Sequence, residues 1–550
     1  MYPQKEIAQL VVNACNYYKI DTAVISPGSR NAPLIIGFSN YPTIKKYSIV
    51  DERCAAFFAM GIAQQTKKPV ALVCTSGSAL LNYHPAIVEA FYSKIPLLII
   101  SADRPKRLID IGDGQTIRQE NIFTNHILFS ANLKEDDIDE NTKLVSIAIK
   151  KAIEEKGPTH INAPFEEPLY NTVKTIPKFQ FPELNTVQII EKLRYEKFLK
   201  IWHSSKKVMI LIGELFPSEK VKKYLEPYCN DEKVMILTET ISNFYHPNVI
   251  NSIDKVITSF TEKDFEKFKP ELLITFGGMV VSKRVKQFLR KYSPKHHWHI
   301  DEQRAMDTYF CLSEHINQPP ETFLTDLYKQ VDKSKGQGNY QREWLNIKSL
   351  RDKRHIQFLK NVTYSDLKVC EVILSSIPDY CQLQLGNSSV VRYAQLFDVN
   401  PTLKVFCNRG TSGIEGSTST AIGASIDVKQ QTVFITGDIS FYYDSNALWN
   451  SYVPKSFRII IVNNSGGGIF KLIPGPKSTN VLEYFETPHK LTAKYLAKTY
   501  GFEYRFAMNI KELKNNLVDF YSGSDKPKIL EIFTPSNVND TILKEYFRSL

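Results

Sequence analysis

The sequence has 550 residues, of which 43% are hydrophobic and 23% are charged. One hydrophobic core rarely serves so long a chain, so we expect three or four domains of ordinary globular composition. The formal net charge is +11. The basic residues are nevertheless spread out and are not interleaved with aromatic residues, which argues against a nucleic-acid-binding protein.

Three further features bear on where the protein works. No apolar run is long enough to span a bilayer. The first ten residues lack the basic and long apolar segments of a signal peptide. The cysteines are scattered without a CxxC pair, which favours reduced thiols over disulfide bonds or zinc ligands. We therefore expect a cytoplasmic protein without a membrane span.

The first third of the chain alternates apolar strands with helices. We predict strands at residues 22–26, 47–50, 70–74 and 96–100. Their apolar runs do not alternate with polar residues, as expected of strands that are buried on both sides. This pattern indicates a parallel sheet covered on both faces.

Polar residues follow several of these predicted strands. Glu52 precedes a helix rich in small and apolar residues. It could be a helix-start glutamate favoured by the helix dipole, or a carboxyl group with a raised pKa that shares a proton with a heterocyclic nitrogen. Each arginine alone is ordinarily structural, but several cationic and amide groups at one sheet edge indicate an anion site. The groups concerned are Ser29, Arg30, Arg104, Gln115 and Arg118.

Two more domains continue the strand–helix pattern. The stretches 171–190 and 333–340 are predicted linkers. Predicted strands lie at 207–213, 233–238 and 272–276 in the central domain, and at 381–385, 404–407, 432–436, 458–462 and 528–533 in the third. The sequence therefore predicts three doubly wound parallel-sheet α/β domains, over residues 1–180, 181–340 and 341–550.

Two turns of the third domain carry side chains suited to an anionic ligand. Asn387, Ser388 and Arg392 follow one predicted strand, and on a helix the Ser388 hydroxyl and the Arg392 guanidinium would share a face. Arg409 and Ile414 lie in a glycine-dense turn, from which Ile414 could project against a bound ring. A helix cap, a surface salt bridge and close packing are the ordinary interpretations.

The third domain also offers hard oxygen ligands at the ends of two neighbouring predicted strands. One strand ends in Thr-Gly-Asp438 and the other in Asn-Asn464-Ser-Gly466. Parallel neighbours would bring both turns to one edge, where the Asp438 carboxylate, the Asn464 amide oxygen and the Gly466 carbonyl could hold Mg²⁺. Each turn alone would be explained by capping or a glycine-rich loop. Together they predict a site for a metal-bound diphosphate.

Several segments, in one order across nearly the whole chain, carry a resemblance to a known family. They are ISPGSRNAPL, DERCAAFFAMG, TSGSALLNYHPA, SADRP, IGDGQTIRQ, GNSSVVR, NRGTSGIEG, GDISFYYDSNAL and NNSGGGIF. With them the chain resembles the thiamine-diphosphate-dependent decarboxylase and carboligase superfamily, although Ile439 replaces the usual third glycine of its metal motif. The similarity is greatest to the branch that serves menaquinone biosynthesis and weakest in the central domain.

The resemblance implies a cofactor, substrates and an assembly. The cofactor is thiamine diphosphate with Mg²⁺, for which Mn²⁺ can substitute. The substrates are 2-oxoglutarate and isochorismate. The assembly is a homodimer or dimer of dimers, in which the first domain of one subunit faces the third domain of another.

The resemblance also implies roles for particular residues. Those implied in catalysis and substrate binding are Glu52, Ser29, Arg30, Arg104, Gln115, Ser388, Arg392 and Arg409. Those implied to contact the cofactor are Glu52, Gly77, Asn387, Ser388, Ile414, Gly437, Asp438, Ile439, Ser440, Asn464, Gly466, Ile469 and Phe470. The implied metal ligands are Asp438, Asn464 and Gly466.

Other functions remain compatible with the sequence. The chain could be another thiamine-diphosphate carboligase, such as an acetolactate-synthase-like enzyme acting on pyruvate. It could also be a cofactor-binding protein without catalysis, although the joint presence of Glu52 and the three metal ligands argues against this. A general nucleotide-binding α/β protein is disfavoured because the sequence contains no phosphate-binding loop of the expected kind.

Overall fold

The computed structural model describes residues 1–184, 193–332, 338–471 and 475–550 and contains three six-stranded sheets. Neighbouring strands are parallel in all three sheets. The predicted class of three doubly wound α/β domains is confirmed. Among the described helices, none is long and apolar enough to cross a membrane.

The first domain is built on a sheet with apolar, buried strands. Its elements are β1 (Tyr2–Pro3), α1 (Glu6–Tyr17), β2 (Thr22–Ile25), α2 (Ala32–Ser39), β3 (Lys45–Ser48), α3 (Glu52–Thr66), β4 (Val70–Cys74), α4 (Ser78–Asn82), α5 (His84–Ser93), β5 (Leu97–Asp103), β6 (Ser130–Asn132), α6 (Ile138–Glu154), β7 (Pro158–Pro164) and β8 (Thr172–Val173). The strand order is β3-β2-β4-β5-β7-β6.

Both faces of this sheet are covered, as its unbroken apolar strands predict. Leu72 belongs to a hydrophobic core shared with α3 and α5. Its neighbour Ala71 belongs to a second core with α1 and α6 on the opposite face. Side chains alternate between faces along a strand, so each face needs its own helical layer.

The central domain has a different strand order, β11-β10-β9-β12-β13-β14. Its elements are α7 (Glu196–Ser204), β9 (Val208–Ile212), α8 (Glu219–Cys229), β10 (Val234–Leu237), β11 (Val249–Ile250), α9 (Ile253–Ile257), α10 (Glu262–Phe268), β12 (Leu272–Phe276), α11 (Lys283–Lys291), β13 (His296–Ile300), β14 (Glu314–Ile316) and α12 (Pro320–Gln330). This is the order of dinucleotide-binding α/β sheets, in which the chain reverses direction across the sheet after its first half.

The third domain repeats the arrangement of the first, with the order β16-β15-β17-β18-β20-β19. Its elements are α13 (Tyr340–Asn361), α14 (Asp366–Ser376), β15 (Gln382–Leu385), α15 (Ser389–Ala394), β16 (Lys404–Cys407), α16 (Ser417–Ala424), β17 (Thr432–Gly437), α17 (Asp438–Tyr443), β18 (Arg458–Asn463), α18 (Leu482–Glu486), α19 (Lys494–Thr499), β19 (Glu503–Ala507), α20 (Ile510–Phe520), β20 (Lys528–Phe533) and α21 (Asn539–Ser549). Loops at the carboxyl ends of its central strands are the expected place for a ligand.

Some predicted boundaries need correction. The strand predicted at 47–50 begins two residues earlier, as β3, because an edge strand paired only with β2 needs no apolar run. Residues 172–173, placed in a linker, instead pair with β1. The rest of the predicted linkers includes 185–190 and 333–337, which lie outside the described residues. The domain divisions at 180 and 340 stay predictions.

The first and third domains pack through two helices that approach unusually closely. A Cβ added at Gly61 of α3 would lie 2.2 Å from the carbonyl oxygen of Thr420, and one at Gly423 of α16 would lie 2.0 Å from that of Phe58. A single hydrophobic core runs across this contact and contains side chains of both domains. Glycine at the crossing lets the two backbones touch, which fixes α3 against the third domain.

Gly423→Ala should therefore destabilise the protein, because the added methyl group overlaps a backbone atom that cannot move aside. We expect the free energy of unfolding to fall by at least about 2 kcal/mol, measured by urea denaturation. Gly523→Ala is the matched control, since a Cβ there meets nothing within 4 Å. Equal stability of the two variants would show that the helices are not in close contact.

Candidate functional site

The two predicted metal-binding turns meet at the carboxyl edge of the third sheet. β17 and β18 are parallel neighbours, with Gly437 opposite Val462. The N–H of Gly466 donates to Asp438 Oδ2 over 2.9 Å, and the N–H of Ile439 donates to Asp438 Oδ1 over 2.8 Å. Asp438 is only 3% exposed. The prediction that these two turns adjoin is confirmed.

Asn464 and Gly466 supply further oxygen atoms in the same turn. Asn464 Nδ2 donates to Asp366 Oδ2 over 2.9 Å, whereas Asn464 Oδ1 is buried and has no hydrogen-bond partner among the described residues. Gly466 has φ +151°, and a Cβ there would lie 2.7 Å from the carbonyl oxygen of Glu486. A buried oxygen without a donor fits a cation, because Mg²⁺ prefers carboxylate, amide and carbonyl oxygens.

A cavity of about 290 Å³ opens beside these turns. Glycines and polar oxygens share its lining with apolar side chains, which suits a ligand with one charged part and one ring part. Within the described ranges, every lining residue belongs to the third domain. The predicted cofactor residues in the lining are Asn387, Ser388, Ile414, Gly437, Asp438, Ile439, Ser440, Asn464, Gly466, Ile469 and Phe470.

The loop that carries Ile414 is fixed by hydrogen bonds to its backbone. Ser440 Oγ donates to the carbonyl oxygen of Ile414 over 2.6 Å. Asn387 Nδ2 donates to the carbonyl oxygens of Asn408 and Gly413, each over 2.7 Å. These contacts anchor the turn at Ile414 and before it, and Ile414 lines the cavity.

A buried carboxylate of the first domain anchors the same loop, and sequence reasoning missed it. Glu89 on α5 is 2% exposed. It accepts hydrogen bonds from the N–H of Gly410 over 2.6 Å and from the N–H of Thr411 over 2.7 Å. Its partners lie more than three hundred positions along the chain, so no local sequence pattern could have revealed the contact.

Two guanidinium groups converge on the turn after β15. Arg409 Nη1 donates to Asn387 Oδ1 over 2.7 Å, and Arg392 Nη1 donates to the carbonyl oxygen of Ser388 over 2.6 Å. Burial lowers the pKa of Arg392, and the nearby charge of Arg409 lowers it further. An anionic ligand would relieve this repulsion between the buried Arg409 and the partly buried Arg392.

The predicted pairing of Ser388 with Arg392 on one helical face is wrong. Ser388 lies before the first residue of α15 and has φ +69°, which is strained for a residue other than glycine. The Arg392 guanidinium donates to the backbone carbonyl oxygen of Ser388. Strained backbone of this kind is concentrated at functional sites.

Other predicted anion-binding residues gather at the edge of the first sheet. Arg104 Nη1 donates to the carbonyl oxygen of Gln115 over 3.1 Å, and Arg104 Nε pairs with Asp113 over 3.0 Å. Burial and the charge of Arg104 lower the pKa of Arg30. Ser29 adjoins Arg30 and is exposed. These groups form a second cationic cluster, separate from the third-domain cavity.

Glu52 and Gly77 border the same edge of the first domain. Glu52 is the first residue of α3, a position that both interpretations of this residue allow, and its Oε2 accepts from Asn82 Nδ2 over 3.2 Å. Gly77, with φ +86°, precedes α4, and its N–H donates to the buried Gln119 Oε1 over 2.8 Å. Neither Glu52 nor Gly77 lines the third-domain cavity of its own chain.

Asp444 connects the start of α3 with the start of α16. It is fully buried and accepts from the Ser419 N–H over 2.7 Å and from Ser419 Oγ over 3.0 Å. Cys54 Sγ lies 3.7 Å from its Oδ1. Burial raises the pKa of Asp444 to about 6, although the hydrogen bonds from Ser419 oppose this rise.

Family models match along nearly the whole chain. Residues 5–126 match the thiamine pyrophosphate enzyme N-terminal TPP binding domain. Residues 183–385 match the middle domain of thiamine pyrophosphate enzymes, and residues 385–532 match the C-terminal TPP binding domain. The cavity and its two turns lie within the segment matched by the third model, apart from Asp366 and Cys370.

Curated relatives are similar over their full length. A 2-succinyl-5-enolpyruvyl-6-hydroxy-3-cyclohexene-1-carboxylate synthase of Flavobacterium johnsoniae is 53% identical over 100% of both chains. The chain belongs to this synthase family. A synthase of the same name from Christiangramia forsetii is 50% identical over 99% of both chains, and one from Porphyromonas gingivalis is 39% identical over 99% of this chain and 97% of the relative.

A solved structure shares the fold at much lower sequence similarity. Benzoylformate decarboxylase from Polynucleobacter necessarius superposes with a TM-score of 0.73, at 15% identity, over 98% of this chain and 99% of the other. At that identity the likeness concerns the three-domain architecture, which this chain of the synthase family shares.

The Asp444 carboxyl group makes the stability of this synthase-family chain depend on pH. Its pKa is raised in the folded state, so its contribution to stability is present at low pH and is lost as pH rises from 3.8 towards 6. In Asp444→Asn this loss is absent. The free energy of unfolding of the variant, relative to that of the natural protein, should therefore be greater at pH 7 than at about pH 4.5 by about 2 kcal/mol, measured by urea denaturation at both values.

A matched control for this measurement is Asp519→Asn, on the protein surface, where the hydrogen bond from Arg505 lowers the pKa of the carboxyl group. Because its lowered pKa lies below both pH values, its carboxylate is almost fully ionised throughout this range, and its stability difference from the natural protein should stay nearly constant. A difference for Asp444→Asn that stays constant between the two pH values would contradict the raised pKa of this carboxyl group.

Proposed function

We propose that this chain is a thiamine-diphosphate-dependent carboligase. It decarboxylates 2-oxoglutarate and joins the remaining four-carbon unit to isochorismate, which gives 2-succinyl-5-enolpyruvyl-6-hydroxy-3-cyclohexene-1-carboxylate in menaquinone biosynthesis. The observation that carries this proposal is the meeting of the Asp438 and Asn464 turns beside one cavity, in a chain whose full-length relatives are synthases of that name.

The third-domain cavity is the proposed cofactor site. Asp438, Asn464 and the Gly466 carbonyl would hold Mg²⁺, or Mn²⁺ in its place, against the diphosphate. Apolar side chains, among them the anchored Ile414, would contact its rings. The remaining proposed contacts are Asn387, Ser388, Gly437, Ile439, Ser440, Ile469 and Phe470. The chemistry supplied by bound thiamine diphosphate is an electron sink for decarboxylation and carbon–carbon bond formation.

A second copy of the chain would complete the site. In the described residues, the first domain contributes nothing to the cavity of its own chain, yet Glu52 is partly exposed at the edge of that domain and the buried Gly77 lies in a turn at the same edge. We propose a homodimer, alone or as a dimer of dimers, in which these residues face the partner's cavity. Two exposed apolar side chains fit such an interface, since Leu81 adjoins Asn82, which contacts Glu52, and the Tyr443 ring packs against Arg53.

Glu52 would act on a proton in the completed site. Its carboxylate is held by Asn82 and would exchange a proton with a ring nitrogen of the cofactor. This assignment makes Glu52 the acid–base residue and leaves binding of the diphosphate to the third domain.

The two cationic clusters would bind the substrates. Both 2-oxoglutarate and isochorismate carry two carboxylates, so each needs several cationic or amide partners. Arg392, Arg409 and the strained Ser388 turn would act from the third domain. The partner's first domain would provide Ser29, Arg30, Arg104 and Gln115.

We also propose a cytoplasmic location. All eight cysteines lie in the described ranges, and all are free thiols. Seven of them are buried, so they behave as small apolar side chains that need no oxidising compartment.

The first test of the function is a comparison of substrates in the presence of thiamine diphosphate and Mg²⁺. We expect CO₂ release and a product joining both substrates, detected by mass spectrometry, only with 2-oxoglutarate and isochorismate together with the cofactor. Turnover of pyruvate instead would support the acetolactate-synthase-like alternative. Cofactor binding without CO₂ release from any 2-oxo acid would support a non-catalytic protein.

Glu52→Gln tests the proposed proton exchange. The amide keeps the size of the side chain but cannot take up or release a proton, so turnover should fall by about 100-fold or more. Thiamine diphosphate affinity, followed by tryptophan fluorescence, should change only slightly, because the diphosphate is bound elsewhere. Glu6→Gln, at the first position of α1, is the matched control. Undiminished turnover of Glu52→Gln would remove Glu52 from the reaction.

A further inference from the structure

The side-chain amide of Asn464 has two ends of similar size and opposite polarity. Only the end with the oxygen can bind a cation, whereas the amino end would repel it. Rotation about the last side-chain bond exchanges the two ends with little change in packing. The metal site proposed above therefore needs a group that decides which end of Asn464 faces the cavity.

Asp366 provides such a group. It is the first residue of α14 and is 2% exposed. Its Oδ2 accepts from Asn464 Nδ2 over 2.9 Å. Asp366 Oδ1 accepts from Thr534 Oγ1, so both carboxyl oxygens act as acceptors and the end of Asn464 that meets Oδ2 is the amino group. The amide oxygen is thereby turned away from Asp366, and it is the atom left without a partner.

Asp366 is itself held in place from two other directions. Thr534 Oγ1 donates to Asp366 Oδ1 over 2.6 Å. The backbone N–H of Asp366 donates to Asn539 Oδ1 over 2.9 Å. One carboxylate oxygen thus accepts from Thr534 and the other accepts from Asn464. Both contacts join α14 to other parts of the domain. This arrangement leaves it little freedom to rotate.

We propose that Asp366 is a positioning residue that directs the amide oxygen of Asn464 toward the divalent cation. The inference rests on the proposed function, because it concerns the same metal site. It adds a residue of the cavity lining that the sequence motif does not contain. Residues that orient metal ligands in this way typically change metal affinity by about 10–100-fold when replaced.

Asp366→Asn is the decisive variant. The new side chain at position 366 is an amide, and its amino group can donate to the Asn464 oxygen. That hydrogen bond would hold the oxygen away from the cavity. Binding of Mn²⁺ in the presence of thiamine diphosphate, followed by the electron paramagnetic resonance signal of free Mn²⁺, should weaken by about 10-fold or more. Thr534→Val is the matched control. It removes the other hydrogen bond to the same carboxylate and should keep Mn²⁺ affinity within a few-fold.

A second pair of variants separates orientation from simple structural damage. In Asn464→Asp both ends of the side chain are oxygens, so its orientation no longer matters. Adding Asp366→Asn to that background should leave Mn²⁺ affinity unchanged or improve it, because two adjacent carboxylates are relieved of their repulsion. The same loss of affinity in both backgrounds would overturn the inference. An Asp366→Asn single variant that binds Mn²⁺ as tightly as the natural protein would also overturn it.

These outcomes remain distinct from failure of the proposed function. Absence of Mn²⁺ binding to the natural protein with thiamine diphosphate would remove the metal site itself. If Asp366→Asn does not fold, a crystal structure of the natural protein with Mn²⁺ and thiamine diphosphate decides the matter. An Asn464 oxygen on the metal, with Asp366 on the opposite end of the amide, supports the inference. Asp366 bound directly to the metal contradicts it.

Discussion

A hydrogen bond between two strand-end turns is the contact on which the rest of the site depends. The N–H of Gly466 meets the Asp438 carboxylate over 2.9 Å, because β17 and β18 are parallel neighbours that end at the same sheet edge. Only glycine fits at position 466, where a side chain would strike the Glu486 carbonyl. The contact brings a carboxylate, an amide oxygen and a carbonyl to one cavity, and it is local to the third domain.

The packing of the first domain is the reason for proposing that a second copy of the chain completes the cavity. Gly61 and Gly423 allow α3 and α16 of one chain to touch, and the shared core makes this contact rigid. Glu52 is thereby fixed at the start of α3, where it is partly exposed and does not line the cavity of its own chain. The proposed dimer follows from this constraint, since a second copy can bring an equivalent first domain to each cavity.

Part of the site could be predicted from the sequence because its chemistry lies in short segments. Asp438 and Asn464 stand in turns whose glycines and oxygens are adjacent in the chain, and parallel strands must end together. Asp366 was missed because it lies 98 positions from Asn464, and Glu89 because it lies 321 positions from Gly410. Such contacts arise from tertiary packing, which a single sequence does not display.

The division of one active site between two chains can be measured by mixing two inactive variants. In a dimer of one Glu52→Gln chain and one Asp438→Ala chain, one of the two sites would have both natural residues and the other would have neither. We expect the purified mixed dimer to recover about half of the natural activity, although each variant alone is nearly inactive. A mixed dimer as inactive as its parents would show that Glu52 and Asp438 of the same chain act together.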